Sequence, residues 1–113
     1  FMGFEKADAE FDRAACLLNT SAVEGFPNTF LQAWARGVPT VSFVAPSADD
    51  DDSPGIVCAD MTAMSSALHR LSSDPDRRRA IGERCRERHR RLHSTEAVAE
   101  RYEAVFRELA RRP

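Results

Sequence analysis

Two short apolar runs with a helix-forming segment between them constrain the fold of this chain more than any other feature. Residues 16–19 form the first run, and residues 40–44 form a second, β-branched run. The segment between them, residues 28–36, is rich in strong helix formers and stops at Gly37 and Pro39, a common helix-ending pattern. Such apolar runs are typical of buried strands. The pattern predicts strand, helix, strand, with the two strands parallel in one sheet.

The alternation of strands and helices continues towards the C-terminus. Residues 56–58 form a third apolar run, and Asp60 follows it as a helix N-cap. Asp74 and Pro75 are a good N-cap and first-turn pair for a charged helix that extends to about residue 91. The predicted fold class is α/β, a partial Rossmann-like parallel sheet of about three strands with flanking helices and two C-terminal helices.

The spacing of apolar residues predicts which helix faces are buried. Spacings of three and four residues indicate a helix over residues 5–15, and Ser94 or Thr95 can cap the last helix. Trp34 is expected to pack in the core. The predicted inward faces are Met61, Met64, Ala67, Leu68 and Leu71 in the helix after Asp60, and Val98, Tyr102, Val105, Phe106 and Leu109 in the last helix.

Length and composition exclude several classes of protein. The chain has 113 residues, 42% apolar and 30% charged, which is typical of one small globular domain. No apolar stretch approaches the roughly 20 residues of a membrane span, and no secretory signal pattern opens the chain. Three cysteines without a Cys-x-x-Cys pair indicate reduced thiols and a cytoplasmic location. Because the chain opens at Phe1 inside an apolar run, we expect residues 1–113 to be a single partial domain.

The two halves of the chain differ in charge. Residues 1–60 have three basic and ten acidic groups, a net of -7, whereas residues 61–113 have thirteen and eight, a net of +5. The basic half includes eight arginines within residues 77–91, which fall on every side of the predicted helix without interleaved aromatic residues. Nucleic acid is therefore not a predicted partner. Peripheral contact of this helix with an anionic membrane surface stays an alternative.

Two groups of residues resemble metal ligands but lack the spacing of a metal site. The acidic tract at residues 49–52 is a run of consecutive carboxylates, which indicates a solvated loop. His69, His89 and His93 are too widely spaced for a ligand set and have no accompanying acidic cluster. No metal site is predicted.

The segment between the first strand and the first long helix contains the residues best suited to binding. Glu24 and Gly25 lie in a loop after the strand, and a helix begins at Asn28. Free N–H groups and the dipole at a helix N-terminus attract anions, and parallel sheets bind ligands at the carboxyl ends of their strands. Glu24 and Gln32 can flank the amides of Asn28 and Thr29. We expect a sugar, a diphosphate and a ribose to lie end to end here.

Residues 20–41 resemble the donor-site signature of the family 4 retaining glycosyltransferases, in which two Glu are separated by seven residues. The similarity runs on through Gly37-Val38-Pro39-Thr40-Val41 and extends more loosely over nearly the whole chain. The resemblance implies a GT-B enzyme whose C-terminal Rossmann-like domain holds the nucleotide sugar. It implies that this chain is the back half of that domain, that the acceptor domain is absent from it, and that no metal or other cofactor is needed.

The resemblance also implies a role for each residue of the segment. A catalytic carboxylate lies beside the donor sugar, a short stretch lies against the sugar and diphosphate, and a polar side chain binds the ribose. These are Glu24 for catalysis, Gly25, Phe26, Pro27, Asn28 and Thr29 for the donor sugar and diphosphate, and Gln32 for the ribose.

Two residues depart from the family pattern. Gln32 replaces the second Glu, and its carboxamide offers the ribose one acceptor and one donor group. Pro27 stands where many members have Gly, and it has no N–H for a ligand. The amides that bind the phosphate are then those of Phe26, Asn28 and Thr29.

The resemblance therefore implies a transferase of polysaccharide or glycoconjugate assembly, in the cytoplasm, with a peripheral location at the inner membrane surface as an alternative. It would move a hexosyl group, with retention, from a nucleoside diphosphate sugar to a sugar or lipid-linked acceptor held by the missing domain. One alternative, motivated by Gln32 and Pro27, is a non-catalytic nucleotide-sugar-binding module. Another is a fragment that associates with itself or a partner chain through an open sheet edge.

Overall fold

The computed structural model describes residues 10–22, 28–45 and 53–112. Its strands are Leu17–Asn19 (β1), Thr40–Ser42 (β2) and Ile56–Val57 (β3). Its long helices are Asn28–Ala35 (α1), Met61–Ser73 (α2), Pro75–Arg88 (α3) and Thr95–Arg111 (α4), with a π-helical turn at His89–His93 between the last two and a helical turn at residues 10–13 before β1.

The three strands form one parallel sheet in the order β1, β2, β3. Leu17 pairs with Thr40, Asn19 pairs with Ser42, and Val41 pairs with Ile56 on the other side. All three residues of β2 are buried, as expected for a strand with neighbours at both edges and helices on its faces. The predicted α/β class, with a parallel sheet of three strands flanked by helices, is confirmed.

The core is formed between the sheet and helices α1, α2 and α3. Trp34 has no exposed surface, and its Nε1 donates to Thr40 Oγ1 at 3.1 Å. The prediction that Trp34 packs in the core is confirmed. The buried apolar cluster consists of Phe30, Trp34, Val41, Cys58, Met64, Leu71, Ile81 and Cys85.

Two glycines allow α1 to end sharply and to lie close to α3. Gly37 has a φ of 70°, and its N–H donates to the Trp34 carbonyl at 3.0 Å, while the Val38 N–H donates to the Ala33 carbonyl at 2.9 Å. This is the Schellman ending that the Gly-x-Pro pattern predicts. A Cβ on Gly82 would lie 2.1 Å from the Gly37 carbonyl oxygen. A residue without a side chain is therefore required where α3 crosses the end of α1.

Three of the predicted helix caps are confirmed. In each case a side-chain oxygen outside the helix accepts from a backbone N–H of the first turn, which would otherwise have no partner in the helix. The pairs are Asp60 Oδ1 with the Ala63 N–H at 2.8 Å, Asp74 Oδ1 with the Arg77 N–H at 3.1 Å, and Ser94 Oγ with the Ala97 N–H at 3.1 Å.

Several predicted boundaries or faces are wrong in detail, including the helix predicted to end at residue 15, which ends at residue 13, and the strand predicted to end at residue 58, which ends at Val57. The helix that begins after Asp74 ends as an α-helix at Arg88 and continues as the π-helical turn. β2 ends at Ser42, which is the last residue paired with β1 and with β3, and the Ser42 hydroxyl donates to the Val44 carbonyl at 2.9 Å where the chain bends. Met61 is exposed because it occupies the first position of α2, one turn before the first buried residue of that helix, Met64.

The predicted inward face of α4 is also wrong. Its Tyr102, Val105, Phe106 and Leu109 side chains are exposed by 54% or more, and only Val98 is half-buried. The helix meets the rest of the described chain mainly at the π-helical turn and projects beyond it, which gives the chain its extents of 58 × 31 × 29 Å. The periodicity identifies the apolar face correctly, but no part of the described chain covers it.

All three cysteines are free, and Cys85 is fully buried against the sheet. Burial raises the pKa of the Cys85 thiol to about 11, although a hydrogen bond from the Thr40 backbone and the nearby Arg84 charge lower it. Burial also raises the pKa of Cys16 and of Cys58. The thiols are therefore protonated and unreactive at neutral pH.

The raised pKa of Cys85 predicts an alkaline loss of stability. The pKa of Cys85 is higher in the folded chain than the ordinary value of 9.0, so the stability contributed by the buried, protonated thiol is complete below about pH 9. This stability is lost as the pH rises through about 11. We expect the free energy of unfolding, measured by urea denaturation, to fall by about 2–3 kcal/mol across this window from this group. In a Cys85→Ala variant, most of this decrease in unfolding free energy should be absent. An identical pH profile in the variant would show that Cys85 is not the group responsible.

Candidate functional site

The carboxyl ends of the three parallel strands form one edge of the sheet, where parallel α/β proteins bind ligands. β1 ends at Asn19, and the Asn19 Oδ1 atom accepts from the Ser21 N–H at 2.8 Å, which turns the chain away from the strand. β2 ends at Ser42. Since a crossover helix runs back from this edge, the N-terminus of α1 lies at the same side of the sheet as these strand ends.

Helix α1 has one buried face and one exposed face. Phe30 and Trp34, one turn apart, are buried against the core. Asn28, Thr29 and Gln32 are all exposed. Because residues three and four positions apart are neighbours on a helix surface, Gln32 lies directly above Asn28 and Thr29. The exposed face at the start of α1 therefore brings together a carboxamide pair, a hydroxyl and the first-turn amides.

The charge around this helix start suits an anion. The first turn of α1 has no acidic residue that would repel a phosphate, and its N–H groups have no acceptor within the helix. Residues 14–35 contain no Lys or Arg, so the positive charge that this segment itself contributes is that of the helix dipole and the amides. Such a helix start can bind a phosphate through backbone N–H groups.

The structure describes only part of the predicted site. It brings Asn28, Thr29 and Gln32 together on one exposed surface, as their spacing predicts. The remaining predicted residues lie outside the described part of the chain, and the roles of all seven predicted residues stay predictions. The residues outside the described part are Glu24, Gly25, Phe26 and Pro27.

Two polar residues at the sheet edge were not singled out by the sequence reasoning. Asn19 and Ser21 form the turn that directly follows β1. The signal that could have found them is an Asn at the end of a strand followed two residues later by Ser, a pattern typical of an Asx turn.

Several arginines of α3 and of the π-helical turn after it are engaged in local contacts. Arg90 forms a bidentate pair with Glu87, with a shorter distance of 2.6 Å, and this hydrogen bond lowers the pKa of Glu87. Arg79 lies 3.4 Å from Asp76, and Arg78 donates to the Leu71 carbonyl at 2.8 Å. These contacts neutralise or occupy part of the basic surface.

Two cavities lie away from the helix start. The larger, about 610 Å³, is next to Ser53 and Pro54, which precede β3 and so lie at the amino edge of the sheet. The smaller, about 320 Å³, lies between β3 and α2. Within residues 10–22, 28–45 and 53–112, no group of three His, Cys, Asp or Glu side chains could hold a metal ion. No helix in the same ranges is long and apolar enough to cross a membrane.

The elements described above define a parallel α/β protein in which the N-terminus of α1 lies at the carboxyl edge of the sheet. Comparison with protein families identifies the class further: the family described as "Glycosyl transferases group 1" matches residues 1–74, which include the whole sheet, α1 and α2. The chain therefore belongs to the group 1 glycosyltransferase family. Comparison with curated proteins gives no match, and comparison with solved structures gives none either.

Proposed function

We propose that this chain is the donor-binding part of a retaining glycosyltransferase that uses a nucleoside diphosphate sugar. The observation that supports this most is the start of α1, where exposed Asn28, Thr29 and Gln32 share one surface at the carboxyl edge of the sheet. Membership of the glycosyltransferase family supports the same reaction class. The first-turn amides of α1 would bind the distal phosphate, and Gln32 would bind a ribose hydroxyl.

In this proposal the helix start also contributes to the reaction. The bond between the sugar and the diphosphate breaks, and negative charge develops on the departing diphosphate. Amides already fixed in the first turn of α1 stabilise that charge without having to reorganise, which is the usual electrostatic contribution in such sites. Glu24 would lie beside the sugar and stabilise the positive charge that develops there.

The proposal also includes the acceptor. A sugar or lipid-linked acceptor would be held by a second domain, and residues 1–113 would be one partial donor-binding domain. A non-catalytic binding module is the second candidate, because Gln32 is a carboxamide where the family signature has a carboxylate. Equilibrium binding of a donor without any turnover by the intact protein would favour the module over the enzyme.

A pair of variants at Asn28 tests the role of the backbone amide. Both Asn28→Ala and Asn28→Pro remove the side chain, but only proline also removes the N–H, and the first helical position tolerates proline. A hydrogen bond to a charged phosphate is worth about 1.5–3 kcal/mol. We therefore expect Asn28→Pro to bind nucleoside diphosphate hexoses at least about tenfold more weakly than Asn28→Ala in calorimetric titrations.

Matched measurements keep this comparison interpretable. Far-ultraviolet circular dichroism should show equal helix content in the two variants. If both variants are folded and bind the donor with equal affinity, the Asn28 amide does not contribute to donor binding.

A further inference from the structure

A groove runs between the outer edge of β3 and the flank of α2. Its volume is about 320 Å³, and its helix wall includes the small side chains of Ala63, Ser66 and Ala67, which share one stripe of α2 at spacings of three and four residues. Arg70 continues this stripe by one turn, and Arg77 of α3 also lines the groove. The groove therefore has a wall of small side chains and two cationic groups.

The strand wall of the groove presents backbone groups that β2 does not use. The Cys58 N–H donates to the Ser42 carbonyl of β2 at 2.7 Å, and the backbone groups of neighbouring residues in a strand point to opposite sides. The N–H and C=O groups of Val57 therefore point away from β2, towards the groove that Val57 lines. Within residues 10–22, 28–45 and 53–112, no further strand pairs with β3. This edge can accept an added strand.

The position of β3 keeps this edge clear of the rest of the proposed enzyme. In a doubly wound sheet, the strands of the first half are added next to the first strand of the second half, which here is β1. β3 is then the outermost strand of the whole sheet. A second domain that brings an acceptor to the donor must face the start of α1 at the carboxyl edge, whereas the groove runs along the outer side of β3.

The two arginines of the groove are available to an anion. Within the described residues, neither the Arg70 nor the Arg77 guanidinium forms a hydrogen bond or an ion pair. Asp74, which lies between them in sequence, accepts from the Arg77 backbone N–H at 3.1 Å as a helix cap. Two guanidinium groups that line the same groove are the charge complement of a carboxylate.

The order of the elements determines the direction in which a peptide would run. α2 follows the carboxyl end of β3 and runs back towards the amino edge of the sheet. Arg70 lies seven residues after Ala63, which places it about 10 Å nearer to the amino edge at a rise of about 1.5 Å per residue. A peptide whose terminal carboxylate binds Arg70 and Arg77 therefore runs antiparallel to β3. About three extended residues span this distance.

The backbone edge favours a peptide over an acyl chain or a free anion. One residue of an antiparallel peptide, opposite Val57, can exchange two hydrogen bonds with it. An acyl chain in the groove would instead cover the Val57 N–H and C=O groups without a partner, which costs free energy. A free anion would contact only the arginines and leave the small side chains of α2 uncovered.

We propose that the groove between β3 and α2 binds the C-terminal segment of a protein partner as an added antiparallel strand. The terminal carboxylate binds Arg70 and Arg77, and the peptide backbone pairs with Val57. Apolar side chains of the last three residues lie against the small side chains of α2. The groove is separate from the start of α1, so partner binding and donor binding can be tested independently.

Affinity selection with synthetic pentapeptides tests this proposal on the 113-residue chain. One pool has Ala, Val, Ile, Leu or Thr at each of the last three positions and a free carboxylate, and a second pool contains the same sequences as C-terminal amides. We expect free-acid peptides to be retained, with dissociation constants on the order of 10–100 µM. The matching amides should bind at least about tenfold more weakly. Amide chemical shifts should change at Val57 and Ala59 and stay constant at Asn28.

A leucine in the groove should block the peptide. Ser66 is exposed and leucine is a strong helix former, so the Ser66→Leu chain should fold. We expect it to bind a selected peptide at least about tenfold more weakly, because the new side chain occupies the space of the peptide. Ser65→Leu is the matched control, since it makes the same change at an exposed position of α2 that does not line the groove.

Arginine variants test capture of the carboxylate. Arg70→Gln and Arg77→Gln should each weaken binding of the free-acid peptide by about three- to tenfold and leave binding of its amide unchanged. Arg79→Gln, at an exposed position of α3 outside the groove, should have no effect. These exposed substitutions keep the test valid even if the Ser66→Leu chain does not fold.

Four results would overturn the proposal. A chain that retains no free-acid peptide has no such site. Equal retention of acids and amides excludes capture of the carboxylate. Displacement of a selected peptide by an equal concentration of sodium acetate reduces the site to adventitious anion binding. Unchanged peptide affinity in a folded Ser66→Leu chain places the binding elsewhere.

Discussion

A Glu24→Gln substitution should lower the rate of glycosyl transfer by at least about 100-fold in the enzyme that contains this chain. Glutamine keeps the size of the side chain but removes the negative charge, which in our proposal stabilises the positive charge on the donor sugar in the transition state. Because that charge develops only as the bond breaks, the loss should fall on kcat, with donor affinity within about threefold of the unmodified enzyme.

The measurement is steady-state transfer from a labelled nucleoside diphosphate hexose. Glu87→Gln is a matched control, because it makes the same chemical change at an exposed position on α3. The control should retain full activity. Transfer by the Glu24→Gln enzyme at a rate within about threefold of the unmodified enzyme would show that Glu24 has no catalytic role.

Trp34→Ala is expected to produce the largest loss of stability, about 3–5 kcal/mol of unfolding free energy. The indole has no exposed surface and joins three elements: its ring centroid lies 6.1 Å from that of Phe30 and 6.0 Å from that of His93, and its N–H donates to Thr40. Removing it leaves a cavity between α1, β2 and the π-helical turn. For a domain of marginal stability, such a loss leaves much of the chain unfolded.

Trp34→Phe separates the packing of this residue from its hydrogen bond. Phenylalanine keeps most of the ring but cannot donate to the Thr40 hydroxyl, so we expect a smaller loss of about 1–3 kcal/mol. Because Trp34 is the single tryptophan of the chain, urea denaturation should be followed by circular dichroism rather than by fluorescence. A loss below about 1 kcal/mol for Trp34→Ala would contradict the central position of this residue.

The elements set by local chemistry could be predicted from the sequence. Asp60 and Asp74 cap helices because their carboxylates reach first-turn amides within the same few residues. Gly37 ends α1 because glycine tolerates the positive φ that this ending requires. The exposed group of Asn28 and Gln32 follows from a helical spacing of four. These features depend on neighbours in sequence and not on distant contacts.

The features that depend on distant parts of the fold could not be predicted. The spacing of Tyr102, Val105 and Leu109 identifies an apolar face, but a sequence pattern does not show whether another element covers it. The π-helical turn after Arg88 has no simple local signal, and it places His93 beside Trp34. The close crossing at Gly82 likewise depends on where α1 ends in space.

The central claim is that the diphosphate of a nucleotide sugar binds at the start of α1. Amide chemical shifts of the isotope-labelled chain, recorded during titration with a nucleoside diphosphate hexose, test it most directly. We predict that the saturable shift changes centre on the amides of Asn28 and Thr29 and extend to Gln32, with inorganic phosphate moving only the first two. Changes centred on the cavity beside Ser53 and Arg84, or no saturable change at the start of α1, would contradict the claim.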